Sequence, residues 1–161
     1  MKKPELLAPA GDYACLSAAL KAGADAVYIG GQKYGARAYA GNFSDEEVIR
    51  ALQEAHFYGR KIYLTVNTLM KQEELNRLEA FMEPFCEAGL DGVIVQDVGA
   101  LSLLHRCFPD LLLHASTQMT ITDAAGAEVL KKLGVVRVVP ARELSLEEVR
   151  ALKRESGLEV E

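Results

Sequence analysis

Short apolar runs alternate with helix-forming segments along the whole chain, and this alternation constrains the fold more than any other feature. Six apolar runs, each followed by a polar or glycine-containing cluster, lie at 6–8, 26–29, 62–66, 93–95, 111–113 and 136–139. A seventh run begins at Leu158. Apolar residues at helical spacing fill the intervals, at 13–21, 44–59, 72–88, 98–107, 122–134 and 145–157. Strict strand–helix alternation predicts a parallel sheet whose polar clusters share one edge.

The helix boundaries carry signals of their own. Ser44 and Ser145 each begin a capping box, with a glutamate three residues later. Glycines end several helices, and the joints at 22–27 and 88–93 are near copies of one another, both reading Ala-Gly-x-Asp at their start. Pro84 lies inside the third helical segment, where it predicts a kink or an early break.

Two architectures fit this pattern, a doubly wound sheet and a (β/α)8 barrel. Polar residues follow nearly every strand, which favours the barrel because an open sheet concentrates its site at one switch point. A complete barrel needs about 250 residues, so the sequence predicts an α/β fold that is a truncated (β/α)8 TIM-like barrel with a parallel sheet and about six βα units. Residues 1–161 are then expected to be the N-terminal portion of a single domain, cut before the last barrel units. Its unpaired sheet edges predict a dimer or a domain-swapped oligomer.

The composition narrows the class of protein. Hydrophobic residues make up 50% of the chain and charged residues 25%, which is typical of a globular domain. No apolar stretch approaches the ~20 residues that span a bilayer. The three cysteines lack CxxC spacing, and no pair or trio of His, Cys, Asp or Glu has the spacing of metal ligands. We therefore expect a cytoplasmic protein without a membrane contact or a metal site, and the net charge of −5 argues against a large nucleic-acid-binding face.

The strongest candidate site is the segment 114–120, which follows the fifth apolar run. Strand alternation would send His114, Ser116 and Gln118 to one side of the sheet. His114 could act as an acid–base group near neutral pH, with Ser116 beside it and Gln118 in contact with the substrate. The alternative is a core histidine with satisfied hydrogen bonds, followed by hydroxyls that only close a turn. No orienting carboxylate is placed by the sequence, so a hydrolytic triad is not indicated.

Two further strands end in amide side chains. Asn67 follows the third strand and could fix a substrate amide or carbonyl, or simply close the turn. Gln96 and Asp97 follow the fourth strand. Asp97 could equally cap the next helix, which leaves Gln96 as the expected substrate contact. Asp12, after the first strand, is expected to cap the first helix, with a role in metal or proton binding as the alternative.

Charged residues follow the second and sixth strands. Arg142 and Glu143 could bind and orient an anion, with Glu143 as a catalytic group, or form an internal salt bridge. The loop 32–43 is long for a βα connection, and long loops in compact domains are often functional. Within it, Arg37 with Tyr34 and Tyr39 could bind a carboxylate, a phosphate or a stacked base; the alternative is a solvated loop with one aromatic ring folded back.

Six stretches together resemble the start of the collagenase-like peptidase family U-32, namely 5–12, 23–31, 64–68, 92–97, 114–118 and 139–143. They follow one another in order over nearly the whole chain. Members of that family are similar to TIM barrels. The family's hallmark, a Glu-x-Phe-x-His-Gly-Ala-x-Cys segment with further cysteines after it, is absent from this sequence. In relatives those cysteines are linked to an iron–sulfur cluster, and none of Cys15, Cys86 and Cys107 matches them, so the resemblance implies a cluster only for a full-length protein.

The resemblance implies more than one activity. The family's name implies peptide-bond hydrolysis, whereas other relatives are implicated in oxygen-independent or prephenate-linked hydroxylation of ribosomal or transfer RNA, and in ubiquinone hydroxylation. We expect the intact protein to act in redox hydroxylation of RNA or a related substrate. The alternatives are a collagenase-like peptidase with a peptide substrate, and a non-catalytic scaffold that supports a site built elsewhere. Without the hallmark segment, the 161 residues alone are expected to be inactive.

Overall fold

A computed structural model of the protein describes residues 3–36 and 41–161. The strands are β1 Leu7–Ala10, β2 Ala26–Gly30, β3 Lys61–Val66, β4 Gly92–Val95, β5 Leu112–Ala115, β6 Val135–Val138 and β7 Glu159–Val160. The helices are α1 Tyr13–Lys21, α2 Asp45–Phe57, α3 Gln72–Glu87, α4 Val98–Cys107, α5 Ala124–Lys132 and α6 Leu146–Ser156, with a 3-10 turn at Thr117–Met119. Strands and helices alternate throughout and the strands pair in parallel, which confirms the α/β pattern predicted from the sequence.

The chain is organised as two compact units. The first unit consists of Met1–Val66 and Ala80–Gly92, and the second unit of Asn67–Glu79 and Val93–Glu161. No helix in the described ranges is long and apolar enough to cross a membrane.

The first unit contains three parallel strands in the order β1-β2-β3. Ala26 of β2 lies opposite Leu7 of β1 and Lys61 of β3, so the three strands start level with one another. Val27 and Ile62 are fully buried, as parallel strands covered by helices require. Helices α1 and α2 are also joined, because Tyr13 Oη donates to Glu54 Oε2 over 2.7 Å.

The near-identical joints at 22–27 and 88–93 make the same contact in the first unit. Asp25 Oδ2 accepts the backbone N–H of Leu6 at 2.9 Å, and Asp91 Oδ2 accepts that of Ile62 at 2.8 Å. Each carboxylate also contacts a basic side chain, Arg60 at 2.9 Å for Asp25 and His56 at 3.0 Å for Asp91. These aspartates therefore stabilise the N-terminal ends of the strands. The ligand sites of α/β folds lie at the opposite, carboxyl ends.

In the second unit the strands run β4-β5-β6-β7. Leu113 lies opposite Val135 and Ala115 opposite Val138, with a register shift between Leu113 and His114. The backbone N–H of Ser116 donates to the carbonyl oxygen of Val95 at 2.8 Å, which continues the contact between β4 and β5 beyond the end of β5. The apolar sides of α4, α5 and α6 supply the core of this unit, with Leu101, Leu104, Leu130 and Leu152 nearly or fully buried.

The helix ends follow the sequence signals closely. Both predicted capping boxes are present, at Ser44 and at Ser145. Asp123 caps α5, its side chain accepting the backbone N–H of Gly126. The early break predicted at Pro84 is wrong, since α3 continues to Glu87. Proline removes one backbone N–H and crowds the carbonyl of the residue four positions earlier, but Pro84 lies in the last turn of α3, so only three helical residues follow it.

Candidate functional site

A cleft of about 300 Å³ lies in the second unit, where the chain leaves β5 and β6. Its lining residues are Thr117, Gln118, Thr120, Ala141, Arg142 and Glu143. Three residues predicted as site residues from the sequence are thereby brought together, namely Gln118, Arg142 and Glu143. The cleft follows the carboxyl ends of two parallel strands, the position at which α/β folds bind their ligands.

Two hydrogen bonds hold the walls of the cleft together. The hydroxyl of Thr117 donates to the carbonyl oxygen of Pro140 at 3.0 Å. The backbone N–H of Ala141 donates to the carbonyl oxygen of Ile121 at 2.9 Å. Thr120, between them on the first wall, adopts the left-handed conformation with φ of 54° and so turns the chain sharply after the 3-10 turn. The cleft is therefore formed by the protein itself before any ligand arrives.

The side chains of the cleft combine donors with an acceptor. Arg142, Glu143 and Gln118 are all exposed. Within the described part of the chain, no ion pair involves Arg142 or Glu143. A guanidinium donates up to five hydrogen bonds, a carboxylate only accepts, and an amide does both. Such a set can bind a ligand that presents acceptors and donors side by side, as a nucleotide or a peptide group does.

His114 and Ser116 do not join that cleft. His114 belongs to β5 and is 1% exposed, and Ser116 is 2% exposed. The strand alternation predicted for 114–118 is wrong beyond Ala115, because the chain there enters the 3-10 turn. Ser116 caps this turn, with its Oγ accepting the backbone N–H of Gln118 at 3.3 Å. The change of conformation leaves Gln118 exposed while Ser116 is buried.

A buried charge on β6 was not singled out from the sequence. Arg137 is 8% exposed, and its Nε and Nη2 donate to Glu159 Oε2 at 3.1 and 2.7 Å. In register, Arg137 lies opposite His114 of β5 and Glu159 of β7, so the three residues form one row across the sheet. The signal was available, because a charged residue interrupts the apolar run 136–139 and a buried arginine requires a partner. The strand beside that of His114 thus carries a buried arginine that is paired with Glu159.

Of the other residues that follow strands in the second unit, one caps a helix and two have no assigned structural role. Asp97 caps α4, its Oδ1 accepting the backbone N–H of Ala100 at 2.8 Å, and its Oδ2 accepts that of Met70 at 3.2 Å. Asn67 and Gln96 are half-buried and do not line the cleft. They remain predicted substrate contacts.

Two predictions concern the first unit. Asp12 caps α1, and the backbone N–H of Cys15, at 2.7 Å, holds the pKa of this carboxyl below its ordinary value. Arg37 and Tyr39 lie outside the described residues. Tyr34, their predicted companion, is described, and its ring contacts Phe81.

The cysteines do not fit an iron–sulfur cluster. Cys15 is exposed on α1, whereas Cys86 on α3 and Cys107 on α4 are half-buried. Burial raises the pKa of the Cys86 thiol to about 11, so this thiol stays protonated at neutral pH. Among the residues that the structure describes, no group of three or more His, Cys, Asp or Glu side chains could hold a metal ion.

Comparison with known proteins identifies the family. The sequence profile of Peptidase family U32 matches residues 11–161. The chain belongs to peptidase family U32. Its fold agrees, since this U32 chain superposes on a solved U32 peptidase, Mk0906, with a TM-score of 0.79 at 16% identity, over 99% of this chain and 69% of that one. This likeness confirms the TIM-barrel-like α/β fold.

The U32 chain is also similar to curated proteins of RNA modification. It is 41% identical to tRNA hydroxylation protein P1 of Bacillus subtilis over 99% of this chain and 38% of that protein. It is 40% identical to the 23S rRNA 5-hydroxycytidine C2501 synthase of Escherichia coli over 98% of this chain and 23% of that protein. The chain thus spans less than half the length of either relative.

Proposed function

We propose that this U32 chain is part of an enzyme that hydroxylates RNA. Its two relatives named above carry RNA hydroxylation in their names and match nearly all of its residues. Because the chain spans 38% and 23% of their lengths, the activity is proposed for a complete protein that contains it. The 161 residues alone are proposed to contribute binding groups without turnover.

The preformed cleft is the observation that carries this proposal. RNA offers phosphates, 2′-hydroxyls and base edges, and proteins recognise unstacked bases through donors and acceptors aimed at those edges. Arg142 and Gln118 would donate to such groups, and Glu143 would accept a base N–H or take up a proton during the reaction. The net charge of −5 argues against a large nucleic-acid-binding face, and the proposal needs only the one phosphate contact that Arg142 would make.

The remaining predicted site residues are proposed in supporting roles. Asn67 and Gln96, which follow β3 and β4, are proposed as further substrate contacts. Arg37, which lies outside the described residues, stays a proposed substrate contact as well. His114 is buried in β5 opposite Arg137, and we propose it as an acid–base group of the complete protein. Ser116 would support the cleft through the turn that it caps.

Peptide-bond hydrolysis, the activity in the family's name, has less support from the geometry. A serine nucleophile must be reachable and hydrogen-bonded to a base. Ser116 is 2% exposed, and its hydroxyl oxygen is engaged by the backbone N–H of Gln118. The Cys86 thiol has its pKa raised to about 11 by burial, the opposite of what an activated cysteine needs. Both candidates are better explained as structural groups.

The proposal is tested with the complete gene product that contains this chain. It is expressed in Bacillus subtilis without tRNA hydroxylation protein P1 and in Escherichia coli without the 23S rRNA synthase. Digested RNA is then analysed by mass spectrometry for nucleosides that have gained one oxygen atom. We expect recovery of a hydroxylated nucleoside in one host, and at least about tenfold less of it with Arg142→Ala. Arg106→Ala, which removes an exposed arginine near the end of α4, is the matched control and should behave as wild type.

A second measurement addresses the cofactor. For the complete protein we propose an iron–sulfur cluster held by cysteines other than Cys15, Cys86 and Cys107. The same protein, purified without oxygen, should absorb in the visible range and contain matched iron and sulfide. A colourless protein that leaves RNA unmodified and cleaves casein would contradict the proposed function and support the peptidase alternative.

A further inference from the structure

Tyr34, in the loop after β2, holds a backbone conformation that costs energy. Its φ of 62° lies in the left-handed region, which glycine adopts freely and a bulky aromatic residue rarely adopts. Glycine occurs nearby in the same loop, at Gly31 and Gly35, but the position with positive φ is occupied by a tyrosine. Strained non-glycine residues cluster at binding and catalytic sites, where the side chain is needed in one place.

The loop is fastened on both sides of this tyrosine. Where it returns, the backbone N–H of Phe43 donates to Gly30 at 2.9 Å, Phe43 pairs with Gly31, and its side chain is 1% exposed. Just after Tyr34, Gly35 lies against β3, where a Cβ would be in van der Waals contact with Thr65 Oγ1 at 3.4 Å. The loop is thus in contact with the sheet both at its return and beside Tyr34.

A series of edge-on rings connects Tyr34 to the core of the first unit. The Tyr34 ring meets Phe81 with centroids 4.9 Å apart and planes at 68°, and Phe81 meets Phe85 at 5.2 Å and 77°. Phe85 is 1% exposed, whereas Tyr34 is half-buried, so the series runs from the interior to the surface. The exposed Lys33, next to Tyr34 in the chain, places its Nζ 5.8 Å from the centroid of Phe81, the middle ring of the series.

We propose that Tyr34 is a stacking platform for an unstacked base of single-stranded RNA, with Lys33 as a contact for the adjacent phosphate. The inference rests on the proposed function, because RNA is the ligand. Single-stranded nucleic acid is bound by aromatic rings that stack on bases, combined with cations that follow the backbone. The backbone of Tyr34 and the neighbouring rings hold its side chain in one position. A ring that is already fixed loses little conformational entropy when it binds a base. No residue of the cleft at Arg142 is involved.

The test measures binding of a fluorescein-labelled single-stranded RNA of mixed sequence to the complete protein by anisotropy. Tyr34→Leu keeps an apolar side chain on Phe81 but removes the ring, and it should weaken binding by at least about fivefold. Tyr34→Phe keeps the ring and should bind within about twofold of wild type. Lys33→Ala should reduce the slope of log affinity against log salt by about 0.7, the contribution of one phosphate contact on a single strand.

The chain offers a matched control in Tyr58. It also lies edge-on to a phenylalanine, Phe57, at 5.4 Å and 83°, and it is 50% exposed. However, it follows α2, towards the starting ends of the strands, and has an ordinary φ of −88°. Tyr58→Leu should leave RNA affinity unchanged. Thermal unfolding of all variants checks that folded proteins are being compared. Tyr34→Gly relieves the backbone strain but removes the ring, and it should lose affinity.

The outcomes separate this inference from the function on which it rests. If Tyr34→Leu or Tyr34→Gly binds RNA as wild type does while cells still contain the hydroxylated nucleoside, Tyr34 is only a packing residue and the inference alone is overturned. If Tyr34→Leu and Tyr58→Leu weaken binding equally, the effect is not specific and the inference fails as well. If the wild-type complete protein neither binds nor hydroxylates RNA, both proposals fail.

Discussion

At the scale of the residue, an aspartate has a different structural role at the carboxyl end of a strand than at its amino end. Asp12 and Asp97 follow strands and cap helices, while Asp25 and Asp91 precede strands and accept a backbone N–H from a neighbouring strand. The repeated Ala-Gly-x-Asp joint in the sequence thus has a physical meaning. Glycine ends the helix with positive φ, at 91° for Gly23, and the aspartate then fastens the strand start.

Asp25 gives a prediction of pH dependence. Its pKa lies below the ordinary value of 3.8, chiefly because the backbone N–H of Leu6 bonds the carboxylate, with Lys3 and Arg60 adding attraction. A lowered pKa in the folded state contributes stability above the ordinary value, and this contribution is lost as the pH falls through the folded-state pKa. Asp25→Asn should therefore lower Tm at pH 7, with the difference from wild type shrinking below pH 3.8. Calorimetric scans across that range measure it, with Asp110→Asn as an exposed control. A constant difference at every pH would show that the carboxylate charge is not the cause.

At the scale of the element, local sequence signals predict where helices and strands lie. Features that depend on contacts between distant residues could not be predicted from the sequence. Helix α1 was predicted at its observed bounds because its apolar spacing and closing glycine are local. The turn at Thr117–Met119 was missed, since a hydroxyl-rich stretch fits strand alternation as well as a capped turn. The cleft itself could not be predicted, because its walls are joined by hydrogen bonds between residues that are 20 and 23 positions apart in the chain. Arg137 could have been found from its place inside an apolar run.

The capping box of α6 yields a prediction at this scale. Ser145 Oγ accepts the backbone N–H of Glu148 at 3.3 Å, and Glu148 Oε2 accepts that of Ser145 at 2.7 Å. Ser145→Ala leaves the first turn of α6 without this cap, which should lower the free energy of unfolding by about 1 kcal/mol. The expected fall in Tm is about 2–4 °C. Ser102→Ala, in the interior of α4 and exposed, is the control and should have little effect because alanine favours helix. Equal Tm values for the two variants would mean that the capping bonds add nothing.

At the scale of the whole molecule, the strands at the two ends of the chain determine how the isolated 161 residues behave. Strand β1 pairs with β2 and β7 pairs with β6, and within the described ranges neither has a second partner strand. An edge with free backbone groups is a template for pairing with another chain. On β1 this tendency is reduced, because Pro9 has no N–H to offer. Strand β7 has no such protection, so association is expected to proceed through it.

Self-association of the isolated chain is therefore predicted, with a variant that tests the edge directly. The backbone N–H of Glu161 donates to Val138, so in an extended strand the N–H of the preceding Val160 points away from β6. Val160→Pro removes this outward donor while leaving the bond to β6 in place. Sedimentation velocity over a wide concentration range should show oligomers of the wild-type chain and a shift towards monomer with Val160→Pro. Val136→Thr, on the partly exposed β6 position, keeps every backbone donor and should associate as wild type does. A wild-type chain that remains monomeric at all concentrations would show that its sheet edges are protected by means other than pairing.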